Sequence, residues 1–241
     1  ALDHCTLALR RYRYVLKCDI EKYFPSIDHA LLFERIARKI KCRDTLALIE
    51  RIIAASNAQE YVVHYFPGDD LFTPHERRIG IPIGNLTSQF FANIYLDGFD
   101  HYVTEQLGGH AYIRFMDDFL LFSDSTRELR EALAAMDAYL AKLRLALHPR
   151  KCQIYAARSG VPFLGWLVFP DHRRLRRKTG VRFQRRLRAL QEEYAHGERE
   201  LKDVKASIMS WLGHLKHGDA RGLSRKLLWQ TSFRRAYPGE T

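Results

Sequence analysis

Residues 111–123, AYIRFMDDFLLFS, decide the fold of this chain. Two arms of aromatic and aliphatic residues flank the acidic pair Asp117 and Asp118, and side chains of these types favour strands. The pattern predicts a β-hairpin whose packed arms hold two carboxylates at the turn. Because Asp is also a common turn residue, a purely structural role for the pair is the alternative.

A second acidic strand end lies upstream, where residues 14–20 are YVLKCDI and Phe24-Pro25-Ser26 follows. This run predicts a strand that ends at Asp19, with a helix-capping Asp as the alternative. Phosphoryl transfer to a nucleotide uses two divalent cations about 3.5–4 Å apart, and such cations prefer carboxylate ligands. A strand lying beside the hairpin would add Asp19 to the acidic pair, in a cluster of like charge that needs a cation.

Apolar spacing and Gly/Pro punctuation outline the remaining elements. Helices are predicted over residues 29–53 (one or two), 85–102, 128–147 and from Arg182 onward. Short strands are predicted over residues 60–72 (two, around Pro67-Gly68), 153–155 and 162–169. The fold class is therefore α+β with a smaller helical domain after it, and the boundary is predicted near residues 173–180.

Positive charge is concentrated at one end of the chain. The sequence has 39 Lys and Arg against 28 Asp and Glu, a formal net charge of +11. Residues 171–241 hold 18 of the basic and 8 of the acidic side chains, so the rest of the chain is close to neutral. This distribution predicts a catalytic body with a segment that grips a polyanion. A solvated basic face that aids solubility is the alternative.

Composition also predicts the compartment. No apolar run approaches the roughly 20 residues of a membrane span, so no membrane partner is expected. The four cysteines, Cys5, Cys18, Cys42 and Cys152, are dispersed and form no CxxC pair. This usage favours a reducing compartment, the cytoplasm, and argues against a zinc site or a disulfide framework.

Five ordered segments resemble the motifs of reverse transcriptases. They are YVLKCDIEKYFPSIDH (14–29), GIPIGNLTSQFFANIYLDGFD (80–100), FMDD (115–118), LHPRKCQIY (147–155) and VPFLGWLVF (161–169). The resemblance covers roughly residues 8–175. It implies a right-hand polymerase palm, an antiparallel sheet with packed helices, with residual fingers elements over residues 1–178. A small basic helical thumb would occupy 179–241. Only 18 residues precede Asp19, so N-terminal fingers are expected to be largely absent.

The resemblance also assigns roles at the chemical centre. Asp19 and Asp117 would bridge two Mg²⁺ ions, with Mn²⁺ as a substitute, while Asp118 supports them and the Ile20 carbonyl is a further ligand. Phe24 matches the steric gate that stacks under the sugar, or is a core Phe. Other nucleotide-binding positions would be Pro82, Ile83, Gly84 and Lys151, although Lys151 could equally be an ordinary surface lysine.

Nucleic-acid contacts are implied further along the chain. Gly165 and Trp166 would shape the primer grip, with a core role as the alternative for Trp166. The basic side chains expected to follow the duplex through its phosphates are Arg173, Arg174, Arg176, Arg177, Lys178, Arg182, Arg185 and Arg186. His214 and His217 are spaced like metal ligands, but a surface or template contact is favoured because further ligands are missing.

The loop between the first motif and the FMDD motif indicates the subfamily of reverse transcriptases that the chain resembles. Group II intron enzymes and retrons usually have Pro-Gln-Gly where this chain has Pro82-Ile83-Gly84, and residues 83–89 (IGNLTSQ) resemble the reverse transcriptases of diversity-generating retroelements. That resemblance implies error-prone cDNA synthesis (mutagenic retrohoming) from a template RNA, with cDNA or primer, deoxynucleoside triphosphates and a small basic accessory variability protein as partners. The host would be bacterial, archaeal or a phage. The alternatives are a group II intron-like or abortive-infection reverse transcriptase, and an RNA-binding scaffold that does not polymerise.

We expect Ile83→Gln to lower misincorporation opposite template adenine more than opposite other bases, by up to about tenfold. Glutamine adds an amide that can hydrogen-bond near the nascent base pair, whereas isoleucine has similar bulk and no polar atom. Sequencing cDNA from a template with all four bases in matched contexts measures this. An unchanged adenine error rate with normal polymerisation would leave Ile83 as loop packing.

Overall fold

The structure, a computed structural model, describes residues 1–56, 60, 62–107 and 111–235. Backbone contacts divide the chain into two compact units. The first contains residues 12–156 together with Ala1, and the second contains residues 2–11 and the described residues from Ala157 onward. This division falls earlier than residue 178, where the palm was predicted to end. Palm and thumb are functional regions, and their boundary stays a prediction.

Strands and helices follow one another in groups along the chain. The strands are β1 (Tyr14–Asp19), β2 (Ala111–Phe115), β3 (Asp118–Ser123), β4 (Gln153–Ala156), β5 (Val161–Phe163), β6 (Trp166–Val168) and β7 (Arg173–Leu175). The α-helices are α1 (Leu2–Arg11), α2 (Tyr23–Ser26), α3 (His29–Lys39), α4 (Arg43–Ala54), α5 (Thr73–Glu76), α6 (Leu86–His101), α7 (Thr126–Lys142), α8 (Arg177–Ala195), α9 (Leu201–Leu215) and α10 (Arg221–Trp229). A π-helical turn, Tyr102–Gln106, extends α6, and a 3₁₀ turn covers Ala157–Ser159.

The first unit is built on an antiparallel sheet with strand order β2-β3-β1-β4. Its centre is β3, in which residues 119–122 are fully buried. Helices α6 and α7 contribute to the same hydrophobic core, for example through Tyr95, Phe99 and Leu140. Helix α7 begins where the Ser125 hydroxyl accepts a hydrogen bond from the Glu128 amide, as expected of an N-terminal cap. The buried sheet provides a rigid base for the acidic strand ends.

The structure confirms most of the predicted elements and contradicts one. The strand near residue 14, the hairpin over 111–123 and the helices over 29–53, 85–102 and 128–147 are present. The two strands predicted within residues 60–72 are wrong, because the described residues there form a turn and lead into α5. The Asp70 carboxylate accepts hydrogen bonds from the amides of Phe72 and Thr73, and Asp69 pairs with Arg77. Side chains that bind the local backbone in this way compete with strand pairing.

The second unit combines a three-stranded antiparallel sheet, β5-β6-β7, with α1 and the last three helices. Trp166 is completely buried, and Gly218 lies against its ring so closely that an added Cβ would be 2.3 Å from it. Phe183 of α8 stacks on Trp211 of α9 with ring centroids 3.6 Å apart. No helix within the described ranges is both long enough and apolar enough to cross a membrane.

Candidate active site

The acidic residues meet at one end of the first sheet because of strand register. Antiparallel pairing places Asp19, the last residue of β1, directly opposite Asp118, the first residue of β3. Asp117 lies in the turn between β2 and β3, and its carbonyl accepts a hydrogen bond from the Ile20 amide at 3.2 Å. Met116 closes that turn with a left-handed backbone, φ 60°. The local fold thus brings together the three carboxylates that the sequence singled out.

Asp118 is neutralised by a lysine that sequence analysis did not identify. The Nζ of Lys17 donates to both carboxylate oxygens of Asp118, at 2.5 and 2.6 Å, and the Lys17 side chain is only 12% exposed. Burial raises the pKa of Asp118, and the charge of Lys17 opposes that rise. Strand alternation could have revealed Lys17, because residues two apart on β1 lie on the same face as Asp19.

The negative charges of Asp19 and Asp117 differ in how far neighbouring groups compensate them. The Nζ of Lys151 donates to Asp19 Oδ1 at 2.9 Å, so this predicted nucleotide-binding lysine contacts the predicted metal ligand directly. Asp117 receives a hydrogen bond from its own backbone amide, and the described residues give its carboxylate no side-chain partner. Burial raises the pKa of Asp117, and the nearby negative charge of Asp19 raises it further. Asp117 is therefore the least compensated charge of the three.

The carboxylates of Asp19, Asp117 and Asp118 are the type of ligand that a hard divalent cation prefers. Carboxylates that repel one another in a partly buried site are stabilised when a cation binds between them. In the described part of the chain, however, no three His, Cys, Asp or Glu side chains are arranged to hold a metal ion as they stand. Lys17 bonds both carboxylate oxygens of Asp118, so a cation could bind Asp118 only if this pair opened, whereas Lys151 bonds a single oxygen of Asp19. The identity of the cation stays a prediction.

The backbone of residues 146–148, which we call the strap, holds the end of β1 beside the turn that precedes β4. The His148 amide donates to the Asp19 carbonyl at 2.8 Å, and the Glu21 amide donates to the Ala146 carbonyl at 2.9 Å. Ile20 forms an isolated antiparallel bridge with Leu147 and is 1% exposed. This strap also brings Lys151 to Asp19. The role of the Ile20 carbonyl as a metal ligand stays a prediction.

The predicted nucleotide-binding residues lie on a loop tied to this strand end. The Phe24 carbonyl accepts a hydrogen bond from the Ile81 amide at 3.0 Å, directly before Pro82. Ile83 is 61% exposed, so more than half of its side chain faces solvent. Gly84 has φ +100°, a conformation that L side chains rarely adopt. Phe115, the residue in the FMDD motif that replaces Tyr, is 52% exposed at the end of β2.

The second unit holds the predicted grip and duplex-binding residues. Gly165 forms the turn between β5 and β6 with φ +85°, while the full burial of Trp166 gives that ring a core position. The guanidinium of Arg173 is engaged by Thr6, Asp3 and the His217 carbonyl, so it ties α1 to β7. The other predicted duplex-binding side chains are exposed: Arg174, Arg176, Arg177, Lys178, Arg182, Arg185 and Arg186.

A groove between α8 and α9 gathers donors suited to phosphates. Arg182 and Arg186 line one side, and Ser207, Ser210 and His214 line the other, around a volume of about 540 Å³. The indole N–H of Trp211, which also lines the groove, is buried without a hydrogen-bond partner in the described residues. Burial lowers the pKa of His214, and the nearby His217 lowers it further. A neutral His214 and two arginines could together contact a sugar–phosphate backbone.

Sequence comparisons identify relatives of the first unit and part of the second. Residues 2–168 match the family described as "Reverse transcriptase (RNA-dependent DNA polymerase)". Protein YkfC of Escherichia coli K12 is 25% identical over 202 residues, which cover 70% of this chain and 49% of that protein. A COX1/OXI3 intron 2 protein of Saccharomyces cerevisiae is 27% identical over 103 residues, 43% of this chain and 11% of that protein. The chain therefore spans about half or less of the curated relatives it matches.

Solved structures share the fold. Apo telomerase from Candida tropicalis, truncated from its C-terminal domain, aligns with a TM-score of 0.50 and 15% identity over 71% of this chain and 39% of that chain. Telomerase from the same organism in complex with a TWJ fragment of telomeric RNA aligns with a TM-score of 0.50 and 13% identity, over 92% and 40%. Identities this low show a likeness in fold, which agrees with the mixed helical and antiparallel-sheet architecture.

We expect Asp117→Asn to raise the melting temperature of the cation-free protein at pH 7 by about 2 °C or more. The folded-state pKa of Asp117 is raised, so its ionised form destabilises the fold above that pKa, and asparagine removes the charge. The gain should shrink as the pH falls through the folded-state pKa, because the wild-type carboxyl then becomes neutral. Thermal unfolding followed by circular dichroism from pH 4 to 8 tests this.

Asp118→Asn should lower the melting temperature by about 4 °C or more at pH 7. It leaves the ammonium of Lys17 largely buried without its carboxylate, which is strongly destabilising. The opposite signs of the two neighbouring substitutions are the diagnostic result. Stabilisation by both, or destabilisation by both, would contradict this electrostatic account.

Proposed function

Because the chain belongs to the reverse transcriptase (RNA-dependent DNA polymerase) family, we propose that it extends a DNA primer on an RNA template. The observation that carries the proposal is the register that sets Asp19 opposite Asp118, with Asp117 one residue away in the turn. Template RNA, primer or cDNA and deoxynucleoside triphosphates are the substrates and partners. Residues 1–178 act as the palm with residual fingers, and residues 179–241 act as the thumb.

Asp19 and Asp117, supported by Asp118 and the Ile20 carbonyl, are the groups that would hold two Mg²⁺ ions. Cation binding at such a site supplies activation of the primer 3′-hydroxyl and neutralisation of the leaving pyrophosphate. Lys17 would give up its direct bond to Asp118 while its low exposure keeps it close. Its charge then continues to offset the carboxylates as the site fills.

Lys151 is the residue best placed to change partners. Its side chain is 51% exposed, and its ammonium is bound to Asp19 through a hydrogen bond to Oδ1. Lys151 would be the ammonium placed to turn toward the triphosphate and stabilise charge on the leaving group if Asp19 held a cation. Phe24 would limit the space at the sugar 2′ position, while Pro82, Ile83 and Gly84 contact the nucleotide.

The second unit would hold the duplex. Contacts from exposed Arg and Lys to phosphates give affinity without sequence preference, which suits an enzyme that must translocate. Gly165, whose left-handed backbone (φ +85°) forms the β5–β6 turn, would contact the primer end, and the fully buried Trp166 anchors the strand that follows in the core. Arg173 also links β7 to α1 through its bonds to Thr6 and Asp3, in addition to the phosphate contact predicted for it.

The subfamily we propose is that of diversity-generating retroelements, in which the cDNA is made with frequent errors at adenines. Support comes from Pro82-Ile83-Gly84 and the following residues, together with the exposure of Ile83. A small basic accessory variability protein would then be a partner. The dispersed cysteines, which form no CxxC pair, suit a reducing compartment, the cytoplasm of a bacterial, archaeal or phage-infected cell.

The similarity to an intron 2 protein of yeast favours a group II intron-like reverse transcriptase as the second candidate. The neighbouring DNA distinguishes the two. Adjacent near-repeats that differ at adenines support the retroelement, whereas flanking intron RNA structure supports the second candidate.

Primer extension on an RNA template with Mg²⁺ tests the polymerase itself. We expect Asp19→Asn and Asp117→Asn to reduce extension by about 10³-fold or more, because both remove a ligand from the reacting centre. Asp97→Asn is the matched control, since Asp97 is a 41% exposed carboxylate paired with Lys39, and it should retain activity. Wild-type extension by Asp117→Asn would contradict the assignment.

We expect Arg182→Gln/Arg186→Gln to flatten the salt dependence of binding to an RNA–DNA duplex. Losing two phosphate contacts should reduce the slope of log Kd against log salt by about 1–2. The control is Arg127→Gln/Arg130→Gln on α7, which removes the same charge from the first unit. Equal slopes for the two double variants would place the duplex elsewhere.

A further inference from the structure

A buried carboxylate lies nine residues beyond Asp19 and outside the proposed metal site. Asp28 is 2% exposed. Its Oδ1 accepts a hydrogen bond from the Leu31 amide at 3.0 Å and caps α3, while its Oδ2 accepts one from Arg144 Nη1 at 2.5 Å. The Tyr95 hydroxyl accepts a hydrogen bond from the Asp28 amide at 3.4 Å and donates to the Leu143 carbonyl at 2.6 Å. Cap and ion pair together satisfy both carboxylate oxygens.

Arg144 forms this ion pair from a strained backbone conformation. It follows the C-terminus of α7 with a left-handed φ of 54°, a position where glycine is usual. A non-glycine residue in this conformation carries backbone strain. The Leu145 amide still closes the helix end on the Leu140 carbonyl at 3.0 Å, so glycine would serve the turn equally well. What glycine lacks is the guanidinium that reaches Asp28.

Asp28 belongs to a segment that holds the nucleotide loop, which we define as residues 79–84. Asp28 forms an isolated antiparallel bridge with Ile79. The Gly80 amide donates to the Ile27 carbonyl at 2.8 Å, and the His29 ring bonds the Gly80 carbonyl at 2.7 Å. With the bond from Ile81 to Phe24, these contacts fix the loop along its first three residues.

Arg144 lies just before the strap of residues 146–148, which bonds the end of β1. The turn after α7 continues directly into residues 146–148, whose backbone bonds hold Asp19 and Glu21. Arg144 also lines a small cavity together with Ile79, so its side chain is next to the nucleotide loop. The Asp28–Arg144 pair therefore cross-links two backbone segments, one that carries the loop and one that clamps the strand end bearing Asp19.

We propose that Asp28 and Arg144 are positioning residues that set the nucleotide loop against the Asp19 strand end and thereby set the affinity for the incoming deoxynucleotide. The proposal rests on the proposed polymerase function. Neither side chain reaches the reacting atoms; each acts through Ile79–Ile81 and the 146–148 strap. Loss of the pair lets the loop shift, which weakens nucleotide binding more than it slows chemistry and leaves duplex binding alone.

The test uses Asp28→Asn, Arg144→Gly and the double variant in single-nucleotide incorporation on an RNA template. Arg144→Gly relieves the left-handed backbone but leaves the buried Asp28 carboxylate without its cation. The double variant removes both charges, so its fold should survive where a single variant is less stable. We expect each single variant to raise KM for the nucleotide about tenfold, with kcat within about threefold of wild type and an unchanged duplex Kd. The double variant should be no worse than the worse single variant, because both break one interaction.

Hydrogen exchange supplies a readout that does not require activity. The amides of Gly80 and Ile81 should exchange about tenfold faster in Arg144→Gly than in wild type. Lys39→Met is the matched control, because it breaks an exposed ion pair from α3 to Asp97, 2.8 Å long, and should change neither KM nor exchange.

Two results would overturn the proposal: a folded Arg144→Gly with wild-type KM, or wild-type exchange at Gly80 and Ile81. A wild-type chain that fails to extend any primer would instead contradict the proposed function. In that case the exchange rates alone decide whether the pair positions the loop.

Discussion

The antiparallel register between β1 and β3 is the constraint on which the acidic site depends. Because side chains alternate along a strand, a slip of one residue would turn Asp19 away from Asp118 and bury Lys17 in the place of an apolar neighbour. Complete burial of residues 119–122 resists such a slip, since these four side chains fill the core on both faces of the central strand. The hydrophobic core thus determines where the charges lie.

Charge compensation follows from the same register. Lys17 lies diagonally across the sheet from Asp118, and Lys151 is delivered by the strap that bonds the Asp19 backbone. Two ammonium groups against three carboxylates leave a site that is stable enough to fold and still short of positive charge. Such a site gains from binding cations because the remaining repulsion, centred on Asp117, is relieved only when they arrive.

Local sequence patterns predicted the elements that are defined locally. Alternating and continuous apolar runs identified the hairpin and β1, and helical spacing identified α3, α4, α6 and α7. The pattern failed over residues 60–72, where apolar Tyr65, Leu71 and Phe72 are exposed and Asp side chains bind the backbone instead. The alternation of side chains along β1 could have predicted that Lys17 lies on the same face as Asp19. The Asp28–Arg144 pair was not, because its members are 116 residues apart and only the folded chain brings them together.

The tight contact of Gly218 with Trp166 has a consequence for movement along a template. Any larger residue at 218 would collide with the ring, so the turn between α9 and α10 is locked onto the β5–β6 hairpin. The stack of Phe183 on Trp211 likewise joins α8 to α9. Under the proposed function, the primer terminus at Gly165 and the duplex in the α8–α9 groove would be held by elements that pack on one another. Release of the primer terminus and release of the duplex would then be coupled in each translocation step.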